Sequence, residues 1–348
     1  MTFKKSAKRM VAAGTLACLS LVVAGVFTLH AEEMDRYAPY DRGIPEGWTV
    51  IEGDILVPVS EQLGGGVYTT SLWPGGIVPF VFDANVTQAN QAFMLQAMQV
   101  WESVANVRFT PRTNETGWFH IQNSTENSSP VGYGTGSKTV NIFNWNVQFI
   151  MVHELGHALG FWHEQSREDR DTYVTIETQR IEPGQGHNFD RHDEADVYGP
   201  YDFDSVMHYG QCAFSCCDLA QPPNTCCTPG NCGCVANPAN CRTITVNPPW
   251  NTVWQNAIGQ RTHLSRLDGI TMSFLYPEAD WVFVDASNQG SSIGSFFDPY
   301  RTLAEAVYFV PVGGRVIFKY AGNYNEAGVF NKAMTWDAPL GGVVIGSP

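Results

Sequence analysis

Cysteine is absent from long stretches of this chain. None stands between Arg36 and Gln211 and none follows Cys241, so disulfides cannot staple most of the sequence. Apart from Cys18, all eight cysteines crowd into Cys212–Cys241. An even number packed so closely in an exported chain reads as a compact disulfide cluster, with a second metal site as the competing reading. Positive charge is also scarce, with 20 Lys and Arg against 34 Asp and Glu. A net charge of −14 gives no attraction to phosphate backbones or anionic membranes, so nucleic acid and stable membrane association are excluded as partners. An uncharged, mostly apolar run from Met10 to Leu29 follows Lys4, Lys5, Lys8 and Arg9 and leads to His30-Ala31. That order reads as a signal peptide over 1–31 and a secreted product, against a retained anchor as the alternative.

The chemistry sits in His153-Glu154-Leu155-Gly156-His157-Ala158-Leu159-Gly160-Phe161-Trp162-His163. Val147 to Leu159 is apolar on nearly every side and predicts a buried helix with Asn146 as its N-cap. His153 and His157, at i and i+4, project from one face. Gly160 can take the left-handed conformation that ends a helix, turning the chain so that His163 returns to the same point. Three imidazoles leave room for water on a zinc ion, and Glu154 is placed to take that water's proton.

The stretch continues through Glu164 to Val174, and Tyr201-Asp202-Phe203-Asp204-Ser205-Val206-Met207-His208-Tyr209 follows. Together these motifs resemble the astacin family of metzincin metalloendopeptidases, from about Trp73 to Pro277. The resemblance implies an α+β fold, a two-lobed zinc-protease domain over 64–278, with Cys212–Cys241 as an insertion. It implies one zinc held by His153, His157 and His163, with Glu154 as general base. Tyr209 would be a fifth ligand that swings away to hydrogen-bond the oxyanion, and Met207 the hydrophobic floor. Glu164 would tie the mature amino terminus through water, and a protein substrate would lie extended and antiparallel along the strand Lys138–Phe143.

Residues 32–63 read as a prosegment. Within it Ile51-Glu52-Gly53-Asp54 is similar to the family's prosegment motif, whose aspartate binds the zinc of the latent form, although Ile51 replaces the usual aromatic residue. Asp54 is therefore the candidate inhibitory ligand, against a plain turn residue, and an activating protease is the implied partner. In the protease region Phe93, Ala97, Val100, Trp101 and Val104 recur at helical spacing and predict one packed face. Ser265 and Asp268 read as a capping box for a closing helix. Residues 279–348, with short motifs such as Asp298-Pro299-Tyr300-Arg301, resemble the opening of a pectin-lyase-like parallel β-helix. About 70 residues supply only two or so of the rungs such a solenoid needs. The whole reads as a secreted zinc metalloendopeptidase made as a latent proenzyme. A non-catalytic zinc or carbohydrate-binding adhesion protein and a zinc amidase on small molecules are the rival readings.

Overall fold

The computed structural model describes residues 48–58, 71–192, 197–215, 242–326 and 330–346. The expected signal peptide over 1–31, the expected mature terminus near Gly64 and nearly all of the expected cysteine-rich insertion lie outside these residues. No described helix is long and apolar enough to cross a membrane.

The chain opens with a hairpin, β1 (Trp48–Ile51) against β2 (Ile55–Pro58), antiparallel. After a single turn at Pro74–Gly76 come β3 (Ile77–Phe82), the helix α1 (Gln88–Glu102) and β4 (Arg108–Pro111). Next are β5 (Gly117–Asn123), β6 (Ser129–Pro130) and β7 (Gly136–Ile142). Four of these strands form a parallel sheet in the order β4-β3-β5-β7. Helix α2 (Gln148–Leu159) carries the zinc motif and packs against α1. Beyond it β8 (Val174–Ile176) pairs antiparallel with β9 (Ile244–Val246), followed by the short α3 (Asn251–Trp254) and by α4 (Arg266–Leu275).

Thr87 caps α1 by accepting from the Asn90 N–H, one of the donors a helix start leaves orphaned. Its buried face is Met94, Ala97, Met98 and Trp101. Phe93, expected in the core, is instead 43% exposed. Both sets fit a 3.6-residue period and share Ala97 and Trp101, so periodicity alone leaves the face uncertain by one residue's rotation. The capping box is formed as expected, with Ser265 and Asp268 exchanging side-chain bonds with each other's backbone.

Helix α2 starts at Gln148 with Val147 in the cap position and no side-chain cap, so Asn146 does not serve there. Ten consecutive residues from Ile150 to Leu159 are buried. A helix end buried this deeply must give its carbonyls partners. Trp73 Nε1 donates to the Ala158 carbonyl at 2.8 Å, and the Tyr276 hydroxyl donates to that of Leu159 at 2.8 Å. Trp101 Nε1 donates to Val152 O at 2.8 Å. Gly160, at φ 122°, then turns the chain away.

The edge facing the N-terminal hairpin differs from expectation. Ser128 and Asn141 exchange both backbone hydrogen bonds, which covers β7 there, and β6 pairs with β2 instead. β7 remains the last strand of the four-stranded sheet, and the strand that receives the hairpin is the short, buried β6 at Ser129–Pro130.

Residues 281–345 add β10 (Trp281–Val284), the helix α5 (Leu303–Phe309) and β11 (Arg315–Phe318). They end with β12 (Gly322–Tyr324), β13 (Thr335–Asp337) and β14 (Val343–Ile345). All pairings here are parallel, in two sheets, β10-β11-β13 and β12-β14. Phe283 and Phe296 join the hydrophobic cluster that contains Tyr198 and Phe274, so this segment packs on the core formed around α1 and α2. A second cluster gathers Val174, Phe189, Tyr201, Phe203, Tyr209 and Ile244.

Truncating Met98, 2% exposed, should cost about 2–5 kcal/mol in urea unfolding. Phe93→Ser should stay within about 0.5 kcal/mol, as surface substitutions do. Equal costs would mean that Phe93 belongs to the core.

Candidate metal centre

His153, His157 and His163 meet as the spacing predicted, with two on α2 and the third returned by the Gly160 turn. Their outer nitrogens are all engaged. His153 Nδ1 donates to Val206 O, His157 Nδ1 to Phe161 O and His163 Nδ1 to Glu52 Oε2, each at 2.7 Å. Protons so placed leave the inner nitrogens as lone pairs. His157 Nε2 lies 3.2 Å from His153 Nε2, and His163 Nε2 lies 3.3 Å from it.

Asp54 faces this cluster from the hairpin. Its carboxylate lies 3.2 Å from His153 Nε2, 3.1 Å from His163 Nε2 and 3.6 Å from His157 Nε2. The four side chains are buried and offer ligand atoms within 4.8 Å of one another. Burial and the nearby Arg261 hold His153 down at about 4, and burial keeps His157 well below its ordinary value. At His163 burial is outweighed by Asp54 and Glu52, which push it up to about 9. Three convergent lone pairs and a carboxylate demand one positive charge among them. A proton on His163 meets that demand, and a zinc cation meets it for all four groups. The donor set therefore fits zinc, whose tetrahedral sites take imidazole nitrogen and carboxylate oxygen.

The other predicted residues surround this point. Glu154 is 1% exposed and lines the same pocket as Asp54, Tyr209 and Arg261. Met207 packs beneath the helix, where a Cβ on Gly156 would lie 2.7 Å from Met207 Sδ. A side chain at 156 would have to push the Met207 thioether aside. The Tyr209 ring lies 4.4 Å from that of His163 between centroids, and its hydroxyl donates to the Glu52 carbonyl. Asp268 accepts from Ser205 Oγ at 2.7 Å and from Val206 N at 2.9 Å, which fixes the turn whose carbonyl orients His153.

Sequence reasoning missed Glu52, His192 and Arg261. Arg261 donates from Nη1 to His208 O at 3.0 Å, while its buried Nη2 has no acceptor among the described residues. Glu52 carried a signal, as the immediate companion of Gly53-Asp54. His192 and Arg261 had none beyond being polar.

Glu164 takes the Asp202 N–H at 2.7 Å and Arg167 Nη1 at 3.2 Å. Burial pushes its carboxyl up to about 8, against the pull of Arg167. Burial and the charge of Asp202 push Asp268 up to about 7. Glu164, Asp202 and Asp268 line one cavity with Arg167, which also binds Asp169.

Residues 66–223 match the family model described as Astacin (Peptidase family M12A). The chain carries an astacin-family metalloprotease domain. Tolloid-like protein 1 of Mus musculus is 32% identical over 278 residues, 77% of this chain and 25% of that relative. High choriolytic enzyme 2 of Oryzias latipes is 33% identical over 173 residues, 48% of this chain and 62% of the relative. A solved structure of High choriolytic enzyme 1, a hatching enzyme zinc-protease from Oryzias latipes, is 31% identical. It covers 58% of this chain and 92% of that one, with a TM-score of 0.48. The chain thus spans a quarter of the length of the tolloid-like relative and just under two thirds of the hatching enzyme.

The two raised carboxyls set a pH dependence. Their folded values lie above the ordinary 4.5 and 3.8, so the stability they contribute is complete below those and is lost as pH rises through about 7 to 8. With zinc saturating, the Tm of the full-length chain should fall from about pH 5 to 8 and level off above that, and Glu164→Gln should flatten the fall. An unchanged slope in Glu164→Gln would assign the titration elsewhere.

Proposed function

We propose that this chain is a secreted zinc metalloendopeptidase made as a latent proenzyme. The observation that carries the reading is the convergence of three Nε2 atoms beside a buried glutamate, in a domain of a metalloprotease family. His153, His157 and His163 would hold one zinc ion, which when bound polarises the scissile carbonyl and the attacking water. Glu154 takes a proton from that water and passes it to the leaving amine. Tyr209 donates its hydroxyl to the oxyanion, a task for a phenol freed from the Glu52 carbonyl. Pure metal or carbohydrate binding needs no base, so a buried Glu154 in the pocket favours hydrolysis.

An extended protein substrate is best served by β6, whose edge already accepts a strand of this chain in β2. The two-lobed reading is supported by the two hydrophobic clusters, since α2 belongs to one and Tyr209 to the other. For the C-terminal segment, β11 to β14 alternate between two parallel sheets, as successive rungs of a β-helix would.

Latency is supported by the hairpin. Asp54 occupies the place where water and substrate would approach, and its carboxyl is held well below the usual range because His163 and its fellows outweigh burial. Once an activating protease cuts between hairpin and domain, the new ammonium could be received in the cavity of Glu164, Asp202 and Asp268. That cavity has more buried carboxyls than cations, and a buried ammonium is tolerable only with such partners.

Glu154→Gln should keep zinc at one per chain, measured by metal analysis, and lose at least about 10²-fold in peptide hydrolysis. Near-normal turnover in that zinc-loaded protein would refute the assignment. Tyr209→Phe should lower kcat more than it raises KM, because its bond to substrate forms in the transition state. The reverse split would make it a binding residue only. Asp54→Ala should give an uncut full-length chain that cleaves casein without added protease. Continued silence would reduce Asp54 to a turn residue.

A further inference from the structure

Glu52 stands in the turn between β1 and β2 with φ at +48°, a left-handed conformation that residues other than glycine seldom take. Such a conformer persists only where its surroundings over-determine it. Here they do. The side chain is 1% exposed, with Oε2 accepting from His163 Nδ1 at 2.7 Å and Oε1 accepting from His192 Nε2. Its carbonyl receives the Tyr209 hydroxyl. Gly53 follows at φ +78°, and a Cβ there would lie 2.3 Å from Phe214 Cζ, so the turn is pressed into the domain.

His192 lies outside the zinc motif and is 6% exposed. Its backbone N–H donates to Ser166 O at 2.9 Å, and its ring packs 5.1 Å from that of Trp162 between centroids. Trp162 in turn packs with Ile55 of β2. Glu52 is the one carboxylate on the His192 ring among the described residues.

We infer that Glu52 is a second latch of the latent form, with His192 as its receptor on the protease domain. The inference rests on reading Asp54 as the inhibitory ligand. Asp54 alone would supply the metal one ligand, which water can replace. Glu52 holds the same turn by two imidazoles and a phenol, so Asp54 stays at high effective concentration beside the three histidines. The latch also positions. A carboxylate on His163 Nδ1 fixes the ring with Nε2 inward, and the Glu52 carbonyl keeps Tyr209 occupied while the hairpin is docked.

The test uses zinc-loaded, full-length chains kept uncut: wild type, Asp54→Ala, Glu52→Gln, His192→Leu and the double variant Glu52→Gln/His192→Leu. The readouts are peptide hydrolysis by the uncut chain and the rate of zinc loss to a chelator, with Tm as a check on folding. Glutamine keeps the shape of Glu52 but turns an NH2 group against one imidazole. Glu52→Gln and His192→Leu should each speed zinc loss by about tenfold or more, the scale of a hydrogen bond to a charged group. The double variant should lose zinc no faster than either single one, because both remove the same latch. After activation cuts the hairpin away, Glu52→Gln and wild type are the same molecule, so their difference must vanish. Zinc loss at the wild-type rate in uncut Glu52→Gln, with Asp54→Ala open and active, would overturn the latch and leave the Asp54 reading standing. An Asp54→Ala chain as silent as wild type would overturn the reading beneath both. Independent, multiplying effects of Glu52→Gln and His192→Leu would remove His192 as the receptor.

Discussion

Three imidazoles can share one point in a protein interior only if their lone pairs face a cation and their N–H groups face acceptors. The rest of this structure arranges that condition. The acceptors are the carbonyls of Val206 and Phe161 and the carboxylate of Glu52, all at 2.7 Å from an Nδ1. Each comes from a different element. Val206 is fixed by Asp268 of the closing helix, and Phe161 by the turn at Gly160. Glu52 comes from the N-terminal hairpin. Orientation of the ligands is therefore spread over the chain, while the ligands themselves lie within eleven residues.

The same geometry holds together a stretch that has no cysteine from Arg36 to Gln211. The zinc helix is sealed at its C-terminal end by indole and phenol donors from Trp73 and Tyr276, one near the domain's start and one near its end. Those bonds join distant parts of the chain around a helix with ten consecutive buried residues. Aromatic rings supply both the packing and the polar partners that buried helix ends require.

What could be read in advance was what is local. The i, i+4 histidines, the glycine at the helix end, the capping box of Ser265 and Asp268, and Asp54 beside Gly53 all express rules acting over a few residues. Their placement follows the reading. The α1 face was displaced because Phe93 and Met94 are both apolar and only tertiary packing chooses between them. The resemblance points to residues 138–143 as the accepting edge, but Ser128 bridges Asn141 there and the hairpin is received by β6, a cover that no local pattern encodes. His192 and Arg261 reach the site from 29 and 98 residues beyond His163, across loops whose course the sequence does not state. The helix cap at Asn146 failed for another reason. A helix this buried is stabilised by packing and does not need a side-chain cap to begin.

The central claim is that these three imidazoles and Asp54 form a single closed zinc site in the latent chain. X-ray absorption on the zinc-loaded, uncut protein tests it most directly. The account predicts four light ligands and no sulfur, with nitrogen at about 2.0–2.1 Å and one carboxylate oxygen at about 2.0–2.2 Å. In Asp54→Ala the spectrum should keep three imidazoles and change only its oxygen ligand. A zinc–sulfur distance near 2.3 Å would place the metal in the cysteine-rich segment and contradict the account.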